Sequence, residues 1–257
     1  MGNILDKICE NKRREVEALN LIDGGNVSTV SGHTPVSMRQ SLLDSPTGII
    51  AEFKRRSPSK GDIHPMAMVA DVVPGYEEAG AAACSVLTDT PYFGGALTDL
   101  VVARSLVNLP LLRKDFVVSE RQIDEARRYG ADAVLLIAAA LSASEIERFT
   151  RHAHSLGLEV LFEIHNANEL DRYCPEVDMV GVNNRDLTTF HTDPELSAIV
   201  ARELPEGVVK VAESGLTDIG EVRRLRDVGY SGFLIGETFM KHSNPGEALR
   251  LFIDGKL

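Results

Sequence analysis

The chain has 257 residues, with 27 Lys and Arg against 38 Asp and Glu and a net charge of -11. That length fits one α/β barrel of about 250 residues or two small domains. An acidic balance argues against nucleic acid as the main partner, because a phosphate-backbone binder needs a basic face. No apolar run nears the ~18 residues that span a bilayer; the longest, Ala133–Leu141, is far shorter, so no membrane association is expected. Three scattered cysteines (Cys9, Cys84, Cys174) with no C-x-x-C exclude a disulfide scaffold and a thiolate zinc site, and fit a reducing compartment. The N-terminus lacks a basic segment followed by an apolar one, and its Met-Gly start has Asp6 where a myristoylation signal wants Ser or Thr. The expected address is the cytoplasm.

The first predicted element is an amphipathic helix, Asn3–Leu21, with Ile4, Leu5, Ile8, Val16 and Leu19 on its apolar side. A polar, Gly-rich loop follows over Asp23–Thr34, then a second helix around Val36–Leu43. From Gly48 a rhythm begins. Short apolar runs at Gly48–Phe53, Ala82–Leu87, Leu109–Arg113, Ala133–Ile137, Glu159–Ile164, Met179–Asn183, Val208–Ala212 and Gly232–Ile235 alternate with helical patterns. Runs of four to seven residues rich in Val, Ile and Leu are the mark of strands buried on both faces. Ser119, Ser142 and Thr217 are the expected caps of three intervening helices, with Glu145 at capping-box spacing from Ser142. Eight such units predict the α/β class and a closed (β/α)8 TIM barrel. The expectation is a single barrel domain over 1–257, with 1–46 as an N-terminal helical extension.

A barrel places reactive residues at the C-terminal ends of its strands. Here those positions carry charge. The first strand ends with Glu52 and Lys54, two apart and so on one face. The third leads into Arg113-Lys114-Asp115, the fifth carries Glu163, the sixth ends at Asn183-Asn184-Arg185 and the seventh leads to Glu213. The plain alternative, a ring of structural ion pairs, holds for any one of them better than for the set. Lysines facing glutamates supply both acids and bases; contact keeps both charged while burial opposes it.

Two turns suit an anion. Glu213-Ser214-Gly215 follows the seventh strand, and Gly236-Glu237 follows the eighth. Small residues there admit backbone N–H groups to a phosphate, at the loops this fold uses for that purpose. Ser57-Pro58-Ser59-Lys60-Gly61 reads as a flexible basic loop, either a solvated connection or a lid. Phe93 and Phe116 bring aromatic surface to the mouth, core packing being their alternative. His152 and His154 read as surface residues. His165 is set aside as pointing away from Glu163, and Lys12–Arg14 as a solvated helix face. No H-E-x-x-H, P-loop or Gly-bearing carboxylate cluster is present, so no metal and no cofactor is expected.

The stretches IIAEFKRRSPSKGDI, LPLLRKDFVVSERQIDEARRYGADAVLLIAAAL, GVNNRDLTTFHTD and VAESGLTDIGEVRRLRDVGYSGFLIGETFM together resemble the indole-3-glycerol phosphate synthases of tryptophan biosynthesis over about residues 3–253. The combination E-x-K-x-x-S-P-S, K-D-F, N-N-R-x-L and E-S-G is specific to that family. The resemblance implies a cofactor-free carboxy-lyase acting on 1-(2-carboxyphenylamino)-1-deoxyribulose 5-phosphate. It also implies residue roles. Lys114 is the general acid at the substrate ketone, and Glu163 the base that accepts the amine proton during dehydration. Lys54 binds anionic groups or serves as a second acid; which lysine acts at which step stays open. Glu52 holds the lysines, while Asn183 and Arg185 position carboxylate and hydroxyl. Glu213 supports the polar network. Ser214, Gly215, Gly236 and the Glu237 backbone hold phosphate, and Ser57, Phe93, Phe116 and Leu187 line the aromatic part. The expected partner is a small phosphorylated substrate, with the chain a monomer carrying no fused phosphoribosylanthranilate isomerase. The alternatives are another sugar-phosphate barrel isomerase and a non-catalytic barrel that binds a phosphorylated metabolite.

Overall fold

Eight parallel strands close on themselves in the computed structural model, which describes residues 4–22, 32–186 and 189–257. They are β1 (Ile49–Phe53), β2 (Ala83–Leu87), β3 (Leu111–Lys114), β4 (Ala133–Ile137), β5 (Glu159–Ile164), β6 (Met179–Asn183), β7 (Val209–Glu213) and β8 (Tyr230–Ile235). Each pairs with its sequence neighbours, and β1 closes the ring on β8 through Ile49↔Phe233 and Ile50↔Leu234. The expected (β/α)8 barrel is the observed one.

Strand parity builds two cores. Ile49, Ala51 and Phe53 turn outward into the layer beneath the helices, where Val72, Val73 and Tyr76 meet them. Ile50, Leu112, Leu135, Leu161, Met179, Val211 and Leu234 turn inward and fill the barrel. Glu52 shares the inward parity of Ile50, so the same alternation that packs the interior delivers a carboxylate to its mouth.

The two N-terminal helices attend opposite ends. The first, α1 (Ile4–Ile22), lays Leu5, Ile8 and Cys9 against Phe116 and the inner core at the mouth. The second, α2 (Met38–Asp44), seals the N-terminal ends of the strands: Met38 and Leu42 join the inner core, Ser41 Oγ donates to the Ala82 carbonyl at 2.6 Å, and Arg39 N donates to Glu159 Oε2 at 2.8 Å. Most of the predicted loop over Asp23–Thr34 lies outside the described residues.

Four local expectations change. The third strand starts at Leu111 because Pro110 has no N–H for the ladder and contributes only its carbonyl, to Cys84 N at 2.9 Å. Its last strand residue is Lys114. Asp218, not Thr217, caps the helix α3 (Ile219–Asp227), accepting from Gly220 N and Glu221 N while Glu221 reaches back. The basic loop after β1 contains a short antiparallel ladder, Arg56–Ser57 with Gly61–Asp62. Finally, Lys12 does not face solvent: it is 4% exposed, with Asp89 Oδ2 at 3.0 Å and Asp115 Oδ1 at 3.1 Å.

Candidate active site

The strand ends converge on a cavity of about 340 Å³ at the mouth. Glu52, Lys54, Lys114, Glu163, Asn183 and Glu213 stand on its floor and walls. Ser57, Phe93, Phe116, Arg185, Ser214, Gly215, Gly236 and Glu237 complete the lining foreseen from the sequence. Leu187, assigned to the aromatic part, lies outside the described residues.

At the centre is Lys114. Its Nζ lies 3.2 Å from Glu163 Oε2 and 3.2 Å from Glu213 Oε2. Burial disfavours the ammonium, but Glu163, Glu213 and Glu52 together outweigh it and hold the proton on firmly. Glu52 sits under Lys54, with Oε1 2.6 Å from Nζ, and takes Ser85 Oγ at 3.5 Å on its other oxygen. Burial pushes Glu52 up; Lys54 and Lys114 overcome it, and its pKa falls below the ordinary value.

Glu163 and Glu213 share Lys114, and their surroundings shift their pKa values in opposite directions. Burial raises both. Lys114 and His165 pull Glu163 down into the ionised state, whereas Glu213, with a carboxylate already beside it, is pushed up. Glu213 can approach that closely because Gly181, its neighbour on β6, has no side chain: a Cβ there would run into Glu213 Oε1. A glycine inside a strand signals close approach, and this signal was available in the sequence.

The rim on the other side carries the two small-residue turns expected to seat an anion. Ser214 (φ 66°) and Gly215 (φ 78°) are both left-handed, and a Cβ on Gly215 would lie 2.6 Å from Thr192 Cγ2. Asn184 fixes this turn: its Nδ2 donates to the Ser214 carbonyl at 3.0 Å, while its Oδ1 accepts from Ser197 N and Oγ. Gly236 lies against Glu52, where a Cβ would come 2.6 Å from Oε1. Thr238 Oγ1 ties the following turn to the Leu216 carbonyl at 2.8 Å. Arg185 reaches Ser59 Oγ at 2.5 Å and Glu237 Oε2 at 3.3 Å, and Lys60 reaches Glu237 Oε1 at 3.4 Å. The basic loop thus reaches the rim through Ser59 and Lys60, with Lys60 still exposed.

Apolar surface closes the remaining side. Phe93 and Phe116 stand 5.9 Å apart between ring centres, and Ile4, Leu5 and Ile8 of α1 line the cavity beside them. The helix's apolar stripe was legible; its destination was not. His165 is the second miss. Residues two apart on a strand share a face, and His165 Nε2 lies 3.3 Å from Glu163 Oε1. Among the described residues no group of three or more His, Cys, Asp or Glu is placed to hold a metal ion.

Barrel and cavity together define an enzyme of the acid–base kind, with ammonium and carboxylate groups gathered at the C-terminal mouth. Sequence comparison gives the family: the profile of the indole-3-glycerol phosphate synthases matches residues 5–252, and the chain belongs to that family. It is 50% identical to the indole-3-glycerol phosphate synthase of Bacteroides thetaiotaomicron over 98% of both chains. It is 42% identical to that of Koribacter versatilis over 98% of this chain and 100% of the other. On fold alone, the N-acetylmannosamine-6-phosphate 2-epimerase of Clostridium perfringens superposes with a TM-score of 0.61 at 14% identity, covering 87% of this chain and 98% of that one.

Proposed function

We propose that the chain catalyses the reaction of its family with the cup around Lys114 as the reacting centre. It is a carboxy-lyase of tryptophan biosynthesis, converting 1-(2-carboxyphenylamino)-1-deoxyribulose 5-phosphate to indole-3-glycerol phosphate, carbon dioxide and water. The observation that carries the residue roles is Lys114 Nζ held between Glu163 and Glu213 on the floor of the cavity.

The ring carbon that bears the carboxylate attacks the ketone carbon, and Lys114 gives its proton to the ketone oxygen. Carbon dioxide then leaves, and its bonding pair restores the aromatic ring. In the last step the new hydroxyl departs as water with a proton from an ammonium, while Glu163 accepts the amine proton. One proton moves from carbon to nitrogen to complete the indole. A carboxylate held as low as Glu163 is a weak base while Lys114 is charged. Once Lys114 has delivered its proton, the positive charge 3.2 Å away is gone and Glu163 binds a proton more readily. The acid step thereby prepares the base for the dehydration.

Lys54 sits on the anion side, because its partner Glu52 touches Gly236. We assign it to the phosphate end and keep Lys114 for the ketone. Ser214, Gly215, Gly236 and the Glu237 backbone hold the phosphate, and remote binding of that group folds the anilino ring onto its own sugar chain. Phe93, Phe116, Ser57 and the apolar stripe of α1 receive the ring. Asn183 and Arg185 position the carboxylate and hydroxyl. We place this chemistry in a single chain in the cytoplasm; three free, buried cysteines support a reducing compartment. No helix among the described residues is long and apolar enough to cross a membrane.

The test is spectroscopic. Purified protein given the carboxyphenylamino substrate is expected to develop indole fluorescence; folded protein that develops none contradicts the proposal.

A further inference from the structure

Lys114 cannot decide which of its two carboxyl partners is ionised, because it stands 3.2 Å from both. Something else breaks the tie. The asymmetry lies on the far oxygens. Glu213 Oε1 is buried with no hydrogen-bond partner. Glu163 Oε1 faces the imidazole of His165 at 3.3 Å. That ring is only 9% exposed at its side chain, and its other nitrogen lies 3.6 Å from Glu169 Oε2. Neither ring nitrogen has an aligned hydrogen bond, so what surrounds the ring is charge: carboxylates on two sides. Glu169 is fixed in place, since its Oε2 also accepts from His165 N at 2.7 Å and its Oε1 from Asn166 Nδ2 at 3.2 Å.

We propose that His165 is a positioning residue that, as an imidazolium clamped between Glu163 and Glu169, keeps Glu163 ionised and leaves the proton of the Glu163–Glu213 pair on Glu213. The inference rests on the reading of Glu163 as the dehydration base, since a base must be empty to accept a proton. His165 touches no substrate; it acts through Glu163. The charged groups that face this system are Glu163 on β5 just before it, Glu169 in the following turn, Glu213 on β7, Lys114 on β3 and, beyond Lys114, Glu52 on β1. Burial disfavours the imidazolium, but Glu169, Glu163 and Glu213 outweigh it and raise its pKa above the ordinary value. Charge complementarity therefore points the same way as the geometry. With a neutral His165, Lys114 at equal distance would give Glu163 no preference over Glu213 for the ionised state.

Two measurements test this. The first needs no variant: the ring nitrogens of 15N-histidine-labelled wild-type protein are followed by NMR from pH 5 to pH 9. His165 is expected to remain an imidazolium at pH 7; a neutral ring at pH 6 overturns the proposal. The second compares His165→Gln with wild type in steady-state kinetics, with Glu163→Gln run alongside. Removing the positive charge makes Glu163 easier to protonate, so the ratio of variant to wild-type kcat is expected to fall at least about threefold further between pH 8 and pH 5. KM is expected to stay within about twofold, because the substrate contacts remain. A merely structural role gives a loss that is constant across pH, and that result overturns the proposal. If the ratio is flat and Glu163→Gln is inactive, the His165 assignment alone falls. If Glu163→Gln keeps full turnover, the base assignment falls and takes this inference with it.

Discussion

Two buried charge clusters sit back to back at the barrel mouth, and neighbouring residues lead into them. Lys114 points into the cavity. Asp115, the next residue, points away from it into a network of Lys12, Arg113, Thr88 and Asp89. The composition is alike: cations and carboxylates, almost wholly excluded from water. The arrangement differs. In the outer network Asp115 accepts from Thr88 Oγ1 at 2.6 Å, Phe116 N at 2.8 Å and Arg113 at 3.2 Å, and Arg113 also reaches the Gln122 carbonyl. In the inner cup Glu213 Oε1 and both His165 nitrogens lack hydrogen bonds, and Lys114 and Glu52 line open space. The outer charges meet protein, with even the unbonded Asp89 Oδ2 held by Lys12 at 3.0 Å, whereas Lys114 and Glu52 of the inner cup border open space where a substrate can meet them.

Substitutions on the two sides should separate turnover from stability. Lys114→Ala is expected to lower kcat by about a thousandfold, with KM changed only a few-fold, because it removes an interaction made in the transition state. If affinity collapses while turnover survives, the acid assignment is wrong. Arg113→Leu breaks the outer network and leaves Asp115 short of a partner, which is expected to cost about 3–5 kcal/mol in urea unfolding. Its kcat per folded molecule should stay within about threefold; a loss as deep as that of Lys114→Ala would merge the two clusters into one.

Gly215→Val tests the anion seat. With φ at 78° and Thr192 in the way, a branched side chain must distort the turn. KM is expected to rise about 10- to 100-fold with a smaller change in kcat, and equal binding by variant and parent counts against the phosphate assignment. The smallest effect is a pH dependence of stability. Glu213's pKa is raised in the folded state, so its contribution is complete below the ordinary value of 4.5 and is lost as pH rises through the folded value. Wild type should therefore lose stability relative to Glu213→Gln across that window in urea titrations. Glu163, lowered in the folded state, acts in the opposite sense: its contribution is complete above 4.5 and is lost as pH falls through the folded value.

Much of this was legible in the chain, for reasons that particular residues make plain. Strands buried on both faces leave apolar runs, so β1, β4, β5 and β6 could be located closely. Glu52, Lys114, Glu163 and Glu213 stood out because each lies within a residue of the end of such a run. Lys12 did not, since a basic residue on a charged helix looks solvated until α1 docks beside Asp89 and Asp115 from distant loops. The role of α1 in lining the cavity was hidden for the same reason. The expectation that His165 points away from Glu163 fails on parity, since residues two apart along a strand direction share a face. Gly181 passed unnoticed because what it makes room for belongs to another strand.

The division of labour inside the cup is tested most directly by a single turnover of Glu163→Gln, with carbon dioxide release and indole formation followed together. Expected is a burst of carbon dioxide at near the wild-type rate, followed by indole appearing at least about a hundredfold more slowly. Release of both at the wild-type rate would contradict an acid and a base working in sequence around Lys114.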